Sequence, residues 1–303
     1  MASSKSNKLK RYTLFDAINT LLVVGITFLI AYPLYFIIIA SFSDPTEVAK
    51  GNTLLWIKGF TVEAYKYVFK EEQLWTGYRN AIVYTILGTL YNLVLTIPAA
   101  YVLTKKYLPF RTLISWFFLI MMYFSGGMIP TYLLIKNLGL LNNPLVLIVG
   151  AGVSCSNLIV TRQYFSTSIH PDIYEAAYID GASEWQCFVK IAMPLAKPIL
   201  AVMTLYYGVG HWNNYYSALL YIRDYKYAPL QLVLRRLLYS TSFSIEDFTA
   251  ADGDTLLYQI QMANMAQSMK YAIIFIASVP LLILYPFVQK HFTTGMMVGS
   301  VKG

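Results

Sequence analysis

Charge is scarce in this 303-residue sequence: 13% of the residues are Asp, Glu, Lys or Arg, about half the share found in a soluble domain. Too few solvated groups remain to cover a globular surface, which argues against a cytosolic enzyme. There are two cysteines, so a disulfide-stapled scaffold is excluded. The 17 glycines and 12 prolines are too few for a collagen-like or low-complexity chain. Three histidines, His170, His211 and His291, are scattered and form no metal-ligand or catalytic cluster. The sequence contains no G-x-x-x-x-G-K-[ST] run, the loop whose backbone amides cradle nucleotide phosphates. The catalytic, cofactor and metal sets are therefore expected to be empty.

Apolar residues are abundant: 57% of the chain is hydrophobic and 16% aromatic, with mean hydropathy +0.52. A bilayer core about 30 Å thick needs roughly 20 apolar residues of helix. Six stretches qualify, at 17–41, 80–104, 112–135, 144–161, 198–222 and 271–289. The first apolar run is too long for a signal-peptide core of roughly 7–15 residues, so it reads as a retained span. The sequence thus predicts an all-α, multi-pass membrane protein with six spans and both termini on one side.

Short-loop charge orients it. The first 11 residues hold Lys5, Lys8, Lys10 and Arg11, and the 105–111 turn holds Lys105, Lys106 and Arg111. The opposing turn at 136–143 has Lys136 alone. Both termini, the 105–111 turn and the 162–197 loop are therefore expected to face the cytoplasm, in a bacterial cytoplasmic membrane. The net charge of +8 serves orientation and lipid contact, not nucleic acid. Three regions follow: residues 1–79 with the first span and an extracellular loop, a five-span core at 80–290, and a cytoplasmic tail at 291–303. The core carries the cytoplasmic loop at 162–197 and an extracellular loop at 223–270, which is expected to be a solvated surface that meets an external partner.

The 162–197 loop reads as two short helices joined by a turn. Pro171 suits a first helical position, while Asp172 and Glu175 complement the positive N-terminal dipole. Asp180-Gly181 ends that helix, Ser183 with Gln186 forms a capping box for the next, and Met193-Pro194 is expected to break it. Ala176 and Ala177 leave a low surface that another protein can approach closely.

The run Glu175-Ala176-Ala177, Asp180-Gly181-Ala182-Ser183, then Phe188, Ile191 and Pro194 resembles the EAA loop of ABC-importer permeases. The family pattern ends in Leu-Pro, where this chain has Met193-Pro194. The run Ser125-Gly126-Gly127-Met128-Ile129-Pro130 and the His211-Trp212-Asn213 segment are similar to carbohydrate permeases of the maltose and multiple-sugar type. The tail through Gly299, Val301, Lys302 and Gly303 resembles that of the G-type subunit. Permeases for amino acids, peptides or metals share the EAA loop, but the sugar-type runs and the tail point to oligosaccharides.

The resemblance implies the type I permease architecture and alternating access. It also implies a second related permease, two ATPase subunits that hold ATP and Mg2+, and an extracellular solute-binding protein. In that family the EAA residues seat a coupling helix in a cleft of the ATPase, and the tail reaches between the two ATPase subunits. Carbohydrate is held by aromatic faces and uncharged polar groups, and polar residues at membrane depth tend to line cavities. Tyr207, His211 and Asn213 of the fifth span, and Ser154 and Asn157 of the fourth, are the candidates for the substrate pathway.

Overall fold

The computed structural model describes residues 14–150, 152–246 and 253–300, and every element among them is helical. In chain order they are α1 (Leu14–Ser41), α2 (Pro45–Ala49), α3 (Glu63–Lys70), α4 (Glu72–Val102), α5 (Arg111–Tyr123), α6 (Met128–Asn137), α7 (Leu145–Val149) and α8 (Cys155–Ser168). There follow α9 (Pro171–Ile179), α10 (Glu184–Leu195), α11 (Lys197–Trp212), α12 (Tyr215–Tyr221), α13 (Leu230–Glu246) and α14 (Gly253–Ser300). The chain divides into two units, residues 1–68 with 241–275 and residues 69–240 with 276–303.

In the first unit α1 turns most of its apolar surface outward, Leu21 and Leu29 each being 74% exposed, as a lipid-facing helix must. Its C-terminal end is anchored by aromatics. Phe42 stacks on Tyr65 at 4.8 Å and meets Phe275 edge-on at 6.0 Å, and the Tyr65 hydroxyl donates to Ser41 Oγ at 2.7 Å.

The second unit is organised around α4, which packs most extensively against α11 and then against α8 and α7. Ile97, Tyr101, Leu158, Phe165, Met203 and Tyr207 form its principal buried cluster. Close approach requires glycine at position 77, where a Cβ would stand 3.0 Å from Val233 and 3.2 Å from the Leu230 backbone.

Several expected spans are not continuous helices. Three helices among the described residues are long and apolar enough to cross a membrane alone: α1, α4 and the 260–283 portion of α14. The expected third span is broken at 124–127 into α5 and α6, which meet at 113°. Gly127 supplies the positive φ of 88° that this bend uses. The expected fourth span is split into α7 and α8, and the fifth into α11 and α12. The break expected at Pro194 falls instead at Ala196, where α10 and α11 bend by 78°. A π turn at 187–192 widens the helix just ahead of Pro194, where a regular turn would press the ring against the Lys190 carbonyl.

The 223–270 stretch is likewise not a simple loop, since α13 and the start of α14 occupy most of it. Leu230, Leu232 and Val233 bury one face of α13. The pair Arg235-Arg236, expected to be solvated, is half-buried. The Arg236 guanidinium lies 4.1 Å over the Tyr225 ring, and Arg235 lies over Tyr215 and Tyr239. Aromatic faces hold cations through their quadrupole, a partner invisible to a reading of charge alone.

Candidate functional site

Helix α9 begins as the sequence predicts, with Pro171 in its first turn and His170 Nδ1 accepting from the Asp172 amide at 3.5 Å. It ends in a Schellman turn. The Ala182 amide donates to the Ala177 carbonyl at 2.9 Å and the Gly181 amide to the Tyr178 carbonyl at 3.0 Å, with Gly181 at φ +80°. Across this turn Ser183 caps α10. Its Oγ accepts from the Gln186 amide at 3.3 Å, and Gln186 Oε1 accepts from the Ser183 amide at 2.8 Å.

These two caps fix which side chains face out. Glu175, Ala176, Asp180, Gly181 and Ser183 are exposed and Ala182 is half-buried, whereas Ala177 turns inward and is buried. Two large apolar residues that helical spacing alone would assign to the core stand beside them: Ile179 is 87% exposed and Trp185 70%. Uncovered apolar side chains on a rigid turn mark a contact surface.

The loop is tied to the body by a cluster that spacing does not reveal. Lys105, just after α4, is buried, and its Nζ lies 3.4 Å from Glu184 Oε2 and donates to the Tyr178 hydroxyl at 3.0 Å. The same ammonium sits over the rings of Tyr101 at 4.3 Å and Tyr174 at 4.1 Å. Tyr101 donates to Glu184 Oε2 at 3.2 Å, and Tyr178 donates to Glu184 Oε1. One cation thus joins the end of α4 to α9 and α10.

Burial pushes the Tyr174 hydroxyl up to about 12, so the ring stays neutral. At Glu184 burial raises the carboxyl, but hydrogen bonds from Tyr107 and Tyr178 and the Lys105 charge outweigh it, leaving the group below the usual carboxylate range. A depressed acid contributes stability above its ordinary titration range and loses it as pH falls through the lowered value. The linkage is therefore intact at neutral pH.

A second polar group lies deep in the second unit. Asn92 of α4 is fully buried. Its amide nitrogen donates to the Gly152 carbonyl, and its oxygen pairs with His211 Nε2 at 2.6 Å. The imidazole fits only because residue 88 is glycine: a Cβ there would overlap the ring. Tyr207 is also buried. Its hydroxyl pairs with Thr96 Oγ1 at 2.7 Å and accepts from the Ser154 amide at 3.3 Å. Asn92 and Tyr207 therefore satisfy backbone groups freed where the chain between α7 and α8 leaves the helix. Lipid supplies no such partners, so the protein must.

Of the pathway candidates, Tyr207 and His211 are thus engaged in packing helices together, and Asn157 and Ser154 cap and flank the start of α8, half-buried. Asn213 is exposed at the break between α11 and α12. In the tail, Gly299 lies in the last turn of α14, while Val301, Lys302 and Gly303 are outside the described residues.

Comparison with known proteins shows the family. Residues 74–298 match the family described as binding-protein-dependent transport system inner membrane component. The chain is 40% identical over 289 residues to the protein LplC of Bacillus subtilis, covering 95% of each. It is 33% identical to the polygalacturonan/rhamnogalacturonan transport system permease protein YtcP of the same species, covering 96% of this chain and 99% of that one. It is 30% identical to the arabinooligosaccharides transport system permease protein AraQ of Halalkalibacterium halodurans, covering 94% and 97%. Among solved structures, a chain of a bacterial ABC transporter involved in the import of the acidic polysaccharide alginate superposes with a TM-score of 0.80 at 31% identity, covering 93% of this chain and 99% of that chain. The chain therefore belongs to the family of inner membrane components of binding-protein-dependent transport systems: it is a multi-pass permease subunit of an ABC importer in the cytoplasmic membrane, working with a partner permease, a separate ATPase and a solute-binding protein.

Proposed function

We propose that this permease imports oligosaccharides delivered by an extracellular solute-binding protein, as one half of a pore formed with a second, related permease above two ATPase subunits. The polysaccharide and oligosaccharide cargoes named for YtcP and AraQ, and the alginate carried by the structurally similar importer, support the cargo class. Uncharged polar and aromatic residues at the helix breaks, Asn213 and Tyr215 among them, suit a carbohydrate better than an amino acid or metal, which would need charged partners at depth. Tyr207, His211, Ser154 and Asn157 shape the wall of the pathway from behind, through the bonds described above.

In this reading the chain crosses the membrane six times, with the bent pair α5–α6 and the split pairs α7–α8 and α11–α12 at intermediate spans, and with both termini in the cytoplasm. Short-loop charge supports that orientation. The ATP and Mg2+ reside in the partner ATPase, and the tail from Gly299 through Val301, Lys302 and Gly303 reaches towards it.

The observation that carries the coupling assignment is the outward face of the α9–α10 turn. Glu175, Ala176, Asp180, Gly181, Ala182 and Ser183 form a rigid, twice-capped surface. Ile179 and Trp185 add apolar anchors suited to a cleft, and residues of this size at an interface centre carry much of its binding energy. Closure of the ATPase dimer then pulls on α9, and Lys105 passes the pull to α4.

The test is the reconstituted importer with Glu175→Ala or Gly181→Val. Both are expected to assemble yet lose binding-protein-stimulated ATPase activity and transport. Unchanged stimulation in both would sink the coupling assignment. For the cargo, thermal shift of the cognate binding protein should respond to oligosaccharides; a response to amino acids alone would overturn that part.

A further inference from the structure

A cleft of about 240 Å3 opens between α5 and α8, lined by Arg111, Thr112, Ser115, Trp116, Leu119 and Arg162. Its volume falls below the roughly 300–1,000 Å3 of pockets that enclose a drug-sized ligand, so it does not suit an oligosaccharide. Its chemistry is unusual for a membrane protein, because two guanidinium groups line it without an anion. Among the described residues, no carboxylate lies within ion-pair distance of either arginine; the ion pairs present there involve Lys50, Lys105, His170 and Lys226.

Each arginine is held by a single neutral oxygen. Arg162 Nη1 donates to Ser115 Oγ at 3.2 Å, and Arg111 Nη1 donates to the Thr104 carbonyl at 3.4 Å. A guanidinium carries five N–H donors in a planar fork that matches phosphate geometry. Both side chains are half-buried, and those two bonds leave most of the donors available to a ligand in the cleft.

The lining is graded along α5. Residues 112, 115, 116 and 119 recur at the spacing of one helical face. From Arg111, the first residue of α5, that face passes through two hydroxyls to the indole of Trp116, 59% exposed, and then to Leu119, 38% exposed. Arg162 lies six residues before the end of α8, about 9 Å along the axis at the usual rise. Cationic and hydroxyl groups thus sit at one end, tryptophan next along the helix, and an aliphatic surface beyond. A free phosphate would use only the upper part. A ligand with an anionic phosphate head and a hydrocarbon body would use all of it.

We infer that this cleft is a binding site for an anionic phospholipid, with the headgroup phosphate between Arg111 and Arg162 and an acyl chain along Trp116 and Leu119. Basic pockets between transmembrane helices on the cytoplasmic side hold such headgroups. The inference uses the proposed orientation, in which Arg111 stands at the cytoplasmic headgroup level. The bound lipid would brace α5 against α8, the helix that leads directly into the α9 coupling turn, and so tune coupling to membrane composition.

The complete importer complex, reconstituted in nanodiscs, provides the test. Brominated phosphatidylglycerol in a phosphatidylcholine background should quench a Trp116 fluorescence component, defined as the difference from Trp116→Phe. Brominated phosphatidylcholine alone should quench it far less. Arg111→Gln or Arg162→Gln should weaken the phosphatidylglycerol preference about fivefold each, and the double variant roughly thirtyfold.

Equal quenching by the two lipids in the wild-type complex would overturn the proposal, and that measurement stands even if a variant fails to assemble. Displacement of phosphatidylglycerol by inorganic phosphate at millimolar concentration would show a free-anion site instead. Protection of Trp116 from both lipids would show that a partner subunit covers the cleft. Because the nanodisc has the same lipid in both leaflets, a wrong orientation leaves the result unchanged. Labelling of Tyr107→Cys from either side reads the orientation separately.

Discussion

The α9–α10 turn and the polar seam between α4 and α11 use similar residues to opposite ends. At the turn, polar groups serve their own neighbours: Ser183 caps Gln186, His170 caps Asp172, and Gly181 closes on Tyr178. Water can replace any of these bonds, so the turn's rigidity comes from several modest contributions of about 1 kcal/mol each. In the seam, Asn92 pairs with His211 and Gly152, more than 50 residues away in sequence in both cases. No water waits to replace those bonds, so each group left alone costs the full desolvation penalty. The turn is exposed, as the proposed docking role requires, and the seam is buried.

Substitutions can break this contrast, and the largest effect is expected in the seam. Gly88→Val would drive a branched side chain into the His211 ring, where even a lone Cβ has no room. Overpacking of this kind costs about 1–3 kcal/mol or more, and the loss of the Asn92–His211 pair adds to it. The solubilised subunit should lose thermal stability and folded yield. A Gly88→Val protein that keeps both would refute the close approach.

Next comes the Lys105 cluster, where the two partners differ in burial: the Lys105 side chain is 9% exposed and that of Glu184 44%. Glu184→Gln strands a buried cation, whereas Lys105→Met leaves a carboxylate that reaches water. The first should therefore be the more damaging of the two, by roughly 1–2 kcal/mol after allowing for Glu184 exposure and the tyrosine rings. The difference is read as the ratio of stimulated ATPase to transport. An opposite ranking would refute the account of Lys105 as the buried member.

A Trp185→Ala change on the turn should leave stability within about 0.5 kcal/mol of wild type, as an exposed residue does. It should nonetheless weaken ATPase association in pull-down from detergent. A stable but undocked subunit would sharpen the contrast with the seam, and undiminished association would remove Trp185 from the interface. Smallest in its effect on function is Asn142→Ala at the 138–143 turn. Asn142 has φ 56°, its Oδ1 accepts from the Arg223 and Asp224 amides at 3.0 Å each, and alanine can do neither job well. A loss of about 1 kcal/mol in thermal unfolding is expected, with transport retained.

The two regions also differ in how far they could be read in advance. The turn was legible because its determinants are local: Pro171, Gly181 and the Ser183–Gln186 pair act within three or four residues, and each is found where spacing puts it. Ile179 and Trp185 were missed there because an apolar residue at helical spacing reads as core, and only the observed exposure separates the two. In the seam, hydropathy marked polar residues at depth but could not say whether they face a pore or one another. Tyr207 and His211 face helices, because Gly88 makes room and the non-helical backbone at 152–154 demands partners.

By itself the sequence determined the class of molecule, since 13% charge and long apolar runs leave no stable arrangement in water. It also determined the caps of the α9–α10 turn, whose hydrogen bonds close within a few residues. Only the tertiary structure decided where the spans break, because Gly127, Ala196 and Asn213 become breaks when other helices satisfy the backbone they expose. It alone decided the partners of Lys105, Asn92 and Arg162, because a buried polar group is stable only beside its complement, and the complement arrives through folding from elsewhere in the chain.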